Sequence, residues 1–268
     1  MIYVKLLKVV HTEREEARKL IPYIKEADIW CPEYAGLTDD MAKVMEADWE
    51  VMIRSTLSRS TFLRKTEEGL QFLPPNQRRY VLGQADYLFQ NKVLIWYLER
   101  FTPEKAATVH SLKAESNLKF GISLRELGQG QINHFFSEYW ESLKLEKKSC
   151  ELRDQEVARN IDLLERMIPQ RYNRFMNKDI QAVVAIGGAH HPERYVSFSL
   201  DVVDLSRPAI TIPDRLDYAL DFGKSFDEMK PLMLAYGALE LSLRGVISLK
   251  LSDIEKMSYD DLRKKLSR

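Results

Sequence analysis

Between residues 182 and 191 the chain reads Ala182-Val183-Val184-Ala185-Ile186-Gly187-Gly188-Ala189-His190-His191, with Pro192 directly after. An apolar, β-branched run without polar alternation predicts a strand buried on both faces, the kind found inside parallel sheets covered by helices. Two glycines end the run, and there the backbone can turn sharply or be approached closely. Two imidazoles follow at once. In an open α/β sheet, ligands bind in the crevice outside the carboxyl ends of the strands, so His190 and His191 fall where such a fold places its chemistry.

The flanking sequence extends this pattern. Residues 2–10 read as a first strand ending at His11, and Thr12-x-x-Glu15 forms a capping box that opens a helix. Ala17, Leu20, Ile21 and Ile24 recur at helical spacing, and a second strand follows over 28–34, closed by Gly36. Strand, helix, strand in so short a stretch is a βαβ unit, which predicts parallel pairing. Residues 37–178 read as mainly helical, with Met41, Met45, Trp49 and Met52 as a core-facing stripe and breaks at Pro74-Pro75 and Gly128-Gln129-Gly130. A helix opening near Arg153 turns Val157, Ile161, Leu164 and Ile168 inward. Val196, Phe198 and Leu200 alternate with Ser197, Ser199 and Asp201 as another strand; a long helix after Asp214 and a short one capped by Ser252-x-x-Glu255 complete the chain. The expected architecture is α/β: one domain over residues 1–268, a three-layer α/β/α core around a mainly parallel sheet, and a helical insertion or lid at about 37–145.

Composition narrows the function classes. Lys plus Arg and Asp plus Glu each total 40, so the net charge is zero. No basic excess steers the chain to nucleic acid or an anionic membrane. Cys31 and Cys150 show no C-x-x-C spacing and read as free thiols of a reducing compartment. The start of the chain, Met1-Ile2-Tyr3-Val4-Lys5-Leu6-Leu7-Lys8, is broken by lysines and lacks a small-residue cleavage site. No apolar run approaches the roughly 20 residues that span a bilayer. A cytoplasmic protein with no membrane partner is expected; a homo-oligomer stays open.

Three polar positions fall at predicted carboxyl ends of strands: His11, Glu33 and the His190/His191 pair. Imidazole and carboxylate together suit a divalent metal, and equally suit general acid–base work without one. No H-E-x-x-H or G-x-S-x-G motif decides between them. Plainer roles stand beside these: His11 as a surface neighbour of the capping box, Glu33 as a solvated loop carboxylate, the histidine pair as hydrogen-bonding its own turn. His110 and His134 lie in charge-rich helical segments and read as surface residues.

The run Arg153-Asp154-Gln155-Glu156-Val157-Ala158-Arg159-Asn160, followed by Ile186-Gly187-Gly188-Ala189-His190-His191-Pro192, resembles the erythromycin esterase/ChaN-like superfamily, which includes the Tiki and TraB/PrgY proteins. Its members carry an Arg-Asp signature opening a helix, then a strand ending in Gly-x-x-His, matched here by Gly187-x-x-His190. An earlier Gly-x-x-His ends their first strand and a glutamate their second; Lys8-x-x-His11 and Glu33 occupy those positions. The match covers roughly residues 1–35 and 150–192. Lys8 replaces the first glycine, and the segment after His190 reads as a strand where the family usually turns into a helix.

The resemblance implies a site between the two histidine-bearing loops and metal-dependent esterase or peptidase chemistry, with haem binding in ChaN-type members. His11, Glu33 and His190 would be its central groups, with Arg153 and Asp154 beside them. As a hydrolase of a small-molecule or peptide substrate, the chain would hold Mn, Co, Fe or Zn on His11, Glu33 and His190, joined by Asp154 in one version. The metal would lower the pKa of bound water from 15.7 toward about 7, and Arg153 would steady the tetrahedral oxyanion. A metal-free version makes a histidine the base for water, oriented by Glu33. Two alternatives are a haem or small-ligand binder with Tyr34 or a histidine such as His191 as axial group, and an interaction protein with a vestigial site.

Overall fold

The computed structural model describes all residues except 10–13, 35, 72, 74, 189, 206–218, 220–222 and 268, and leaves undescribed the side chains of residues 14, 15, 76 and 77. His11, the capping-box pair Thr12 and Glu15, Pro74 and Asp214 therefore lie outside the described residues and side chains.

Five parallel strands form one sheet: β1 (Ile2–Val9), β2 (Ile29–Pro32), β3 (Leu94–Ile95), β4 (Ile180–Gly187) and β5 (Asp201–Asp204), in the order β3-β2-β4-β1-β5. Helices accompany it: α1 (Arg14–Lys19), α2 (Ile21–Glu26), α3 (Asp39–Arg54), α4 (Arg59–Gly69) and α5 (Pro75–Asn91); α6 (Pro103–Gly128) and α7 (Ile132–Arg171) follow β3 in the chain. The fold is α/β, as expected. Ala182 to Ile186 are all buried, so successive side chains of β4 meet apolar cover on both faces. Each fully buried Val or Ile contributes about 1.5–3 kcal/mol, which explains why this run takes the centre of the sheet.

Topology brings the site together. From β1 the chain crosses to β2 and β3 on one side, returns to insert β4 between β2 and β1, then adds β5 on the other side. β4 runs beside β1 in register from Ile2↔Ile180 to Val9↔Gly187, and beside β2 from Ile29↔Ala182 to Pro32↔Ala185. The residues just past β2 and β4 are thereby neighbours at the carboxyl edge, beside the reversal in strand order.

Several elements differ from expectation for identifiable reasons. The strand predicted over 196–201 forms instead at Asp201–Asp204, where it pairs with Lys5–Lys8. Upstream, the Ser197 amide and hydroxyl donate to Asp162 and hold that stretch off the sheet, leaving Phe198 exposed. Helix α3 buries Ala42, Glu46, Trp49 and Ile53, a face shifted from the Met41 stripe, because Arg100, Arg171 and the Tyr97 amide neutralise Glu46 in the core. Arg153 lies inside the 40-residue helix α7 and does not open it. The helix Leu251–Ile254 has Lys250 at its N-cap with no side-chain bond, while a complete capping box occurs at Ser225 and Glu228, opening the helix Phe226–Leu243.

The chain divides into two compact units. The first, Met1–Ala107 with Leu152–Arg207, holds the sheet. The second, Thr108–Glu151 with Pro208–Arg268, has its own core around Phe135, Phe136, Tyr139, Met229, Met233 and Leu234. The stretch expected as an insertion over about 37–145 is divided: residues 37–107 belong with the sheet and 108–145 with the second unit. Among the described residues no helix is long and apolar enough to cross a membrane.

Candidate active site

β4 ends at Gly187, and a turn closed by His190 N–H donating to the Gly187 carbonyl at 3.0 Å tucks His190 beneath the carboxyl edge, 4% exposed. Helix α7 meets this turn with Asp154. One carboxylate oxygen lies 2.6 Å from His190 Nδ1 and the other accepts from the His191 amide at 2.8 Å. Asp154 thus orients both the ring and the loop that carries it. From β2, Glu33 completes the enclosure: its Oε1 lies 3.3 Å from His190 Nε2, and its Oε2 accepts from the Gly187 amide at 2.6 Å.

Arg153 holds Glu33 from the other side. Its Nη2 donates to Glu33 Oε1 at 2.5 Å, while Nε and Nη2 form a two-point contact with Glu99, both at 2.8 Å. Asn160, one face further along α7, donates to the Leu98 carbonyl at 2.7 Å and so pins the segment that carries Glu99. The result is a buried cluster of two cations, Arg153 and His190, interleaved with three carboxylates, Glu33, Glu99 and Asp154.

Proton positions follow from the partners. Ionised carboxylates accept hydrogen bonds and donate none, so ring nitrogens facing Asp154 and Glu33 both carry protons. Burial alone would push the His190 pKa down; the hydrogen bonds to Asp154 and then Glu33 outweigh it and raise it to about 9. For Arg153, burial is likewise overcome by Glu99 and Glu33, which keep the guanidinium charged.

A second polar group borders the first. Lys8, nearly buried near the end of β1, has its Nζ 2.7 Å from His191 Nδ1 and donates to Glu193 Oε1 at 2.8 Å. Burial would raise the Glu193 pKa, but hydrogen bonds from His191 and Lys8 prevail and hold it at about 2. Tyr34 is 44% exposed, its ring edge-on to Tyr97 with centroids 5.9 Å apart.

Of the expected site residues, Glu33, Arg153, Asp154 and His190 are brought together, His191 and Tyr34 lie beside them in sequence, and His11 lies outside the described residues. Glu99 was not anticipated; its only signal is a charged pair, Glu99-Arg100, closing the apolar run Val93–Leu98. Among the described residues no group of three or more His, Cys, Asp or Glu is arranged to hold a metal ion. A metal ligand must offer a lone pair, yet both His190 nitrogens face carboxylates and carry protons instead. The described donors as arranged do not fit a divalent cation. No family model, curated protein or solved structure matches this chain.

Proposed function

We propose that the chain is a hydrolase of small ester or peptide-like substrates, working by acid–base chemistry on the pair Glu33 and His190. The observation that carries this reading is the unequal suspension of His190: 2.6 Å to Asp154 on one side, 3.3 Å to Glu33 on the other. The short contact anchors the ring, and the long one leaves the Nε2 proton available. The resemblance to the erythromycin esterase/ChaN-like superfamily supports the same residues.

In the proposed reaction, Glu33 accepts a proton from a water as its oxygen attacks the carbonyl carbon. The tetrahedral oxyanion forms near His190 and is stabilised by the imidazolium charge, which is worth more in a dry site than in water. The leaving oxygen or nitrogen takes the Nε2 proton as its bond to carbon breaks. Transfer of the Glu33 proton to His190 across their direct contact restores both groups. Arg153 acts as a positioning residue, keeping Glu33 aimed. A small substrate, no nucleic-acid partner and a cytoplasmic setting complete the proposal; the balanced charge and the lack of any C-x-x-C spacing support it.

The test is hydrolysis of short-chain p-nitrophenyl esters and dipeptide amides, with and without chelator, by wild type, Glu33→Gln and His190→Gln. Turnover that survives chelation and falls about 10²–10⁴-fold in each variant is expected. Turnover abolished by chelator and restored by Mn²⁺, Co²⁺ or Zn²⁺ would instead support the metal-dependent version. No turnover, together with visible absorbance of added haem, would favour the binding protein.

A further inference from the structure

The opposite end of the sheet holds a cavity of about 300 Å³, lined by Asp28, Asn91, Lys92, Arg174, Lys178 and Asp179 among others. It lies where β2, β3 and β4 begin, so it is remote from His190 along β4. We propose that this cavity binds a small ligand through a phosphate-type oxyanion, either free phosphate or a compact phosphate monoester, held by Lys92, Arg174 and Lys178.

The charges around the cavity are not equivalent. Its lining sets two carboxylates, Asp28 and Asp179, against three cations, and Asp28 accepts from the Gln181 amide at 3.0 Å. Lys92, Arg174 and Lys178 take part in no ion pair among the described residues. The Arg174 guanidinium lies over the Phe175 ring, 4.7 Å from its centroid. A stacked guanidinium keeps its edge of N–H donors for in-plane acceptors, the geometry that suits a phosphate. The net formal charge of the lining is positive.

The carboxyl end of α5 also faces this region, and unsatisfied carbonyls there would repel an anion. Three carbonyls near that end accept local donors: Val93 N–H donates to Leu88 O at 3.1 Å, Lys92 N–H to Phe89 O at 3.2 Å, and Asn91 Nδ2 to Tyr87 O at 2.8 Å. This is a Schellman closure with Lys92 in the left-handed position at φ 52°. Glycine adopts that conformation without steric penalty and lysine does not. A strained residue at a cavity mouth is a pointer to function. Here the strain places an ammonium at the rim. Asn177, at φ 62°, turns the chain so that Lys178 joins it. The volume stands at the small end of the range for ligand pockets, enough for a phosphate and a few carbons.

The experiment is calorimetric titration of the whole chain at low ionic strength with inorganic phosphate, glycerol 3-phosphate and uncharged glycerol. Saturable binding of at least one phosphate probe and none of glycerol is expected, weakened about tenfold by Arg174→Gln and by Lys178→Gln. Lys92→Gly should weaken binding while leaving Tm unchanged or higher, because it removes a donor and relieves the left-handed strain. Tighter binding of glycerol 3-phosphate identifies an ester site; equal or tighter binding of inorganic phosphate identifies a site for the free ion. No saturable heat from either phosphate probe, or heat that all three substitutions leave unaltered, overturns the proposal. All three residues are exposed, so each variant should fold, and its Tm verifies that it does.

Discussion

Each carboxylate beside His190 can only accept, so the ring keeps both protons well above the pH at which a free imidazole gives one up. The consequence for stability has a definite sign. A folded-state pKa of about 9, against the usual 6.5, contributes stability that is fully present below pH 6.5 and is lost as pH rises through 9. The span corresponds to something on the order of 3 kcal/mol for this buried group. Wild type should lose Tm between pH 6.5 and 9.5 by several degrees more than His190→Gln does in parallel scanning calorimetry. The same titration should lower hydrolytic turnover on the alkaline side, because the acid that protonates the leaving group disappears. Asp154→Asn tests the anchor. An amide oxygen can still accept from Nδ1, but the amide nitrogen then confronts the His191 N–H, donor against donor. The His190 pKa, read from imidazole NMR shifts, should fall toward its ordinary value. Arg153→Met should cost about 3–5 kcal/mol in denaturant unfolding, since Glu33 and Glu99 would be left buried without their cation.

At the scale of elements, the parts legible in the sequence are those whose signal is local. β4 announces itself because burial on both faces demands an uninterrupted apolar run, and the turn after it because Gly187 and Gly188 stand there. That Glu33, Arg153, Asp154 and His190 meet is approached by two routes: Glu33 and His190 stand at strand ends, whereas Arg153 and Asp154 are pointed to by the resemblance alone. Glu99 is reached by neither. Its partner Arg153 is 54 residues away, and a two-residue strand inside the run Val93–Leu98 carries no period of its own. The face of α3 is hidden from the sequence for a similar cause, since Glu46 reads as solvent-facing until Arg100 and Arg171 arrive from distant segments to neutralise it. Burial raises the Glu46 pKa against the pull of those cations, so the carboxyl depends on its partners to remain in the core. Glu46→Ala should therefore destabilise by about 3 kcal/mol or more in chemical unfolding, a loss far above that of an exposed α3 carboxylate such as Asp48→Ala, within about 0.5 kcal/mol of wild type.

At the scale of the whole chain, two units with separate cores raise the question of whether they unfold as separate cooperative bodies. Gly237 offers a clean perturbation of the second. A Cβ built there would lie 2.7 Å from Leu127 Cδ2 and 2.8 Å from Phe135 Cζ, and both neighbours are fully enclosed. Overpacking of this kind costs about 1–3 kcal/mol, whereas replacing glycine by alanine within a helix returns at most about 1 kcal/mol. The steric term wins, and Gly237→Ala should lose on the order of 1–2 kcal/mol. Helix α7 runs unbroken from the second unit into the first, with the division between Glu151 and Leu152. Hydrogen exchange then locates where the destabilisation stops. If the units are separate foldons, amides of residues 108–151 and of the helix Phe226–Leu243 exchange faster in Gly237→Ala, while those of β1 and β4 keep their wild-type protection. We expect this outcome, with the change falling within one or two turns of α7 near Leu152. Equal loss of protection in β4 would instead mean that the sheet and the second core unfold in one step. The ion cluster at His190 would then depend on residues far outside its own unit.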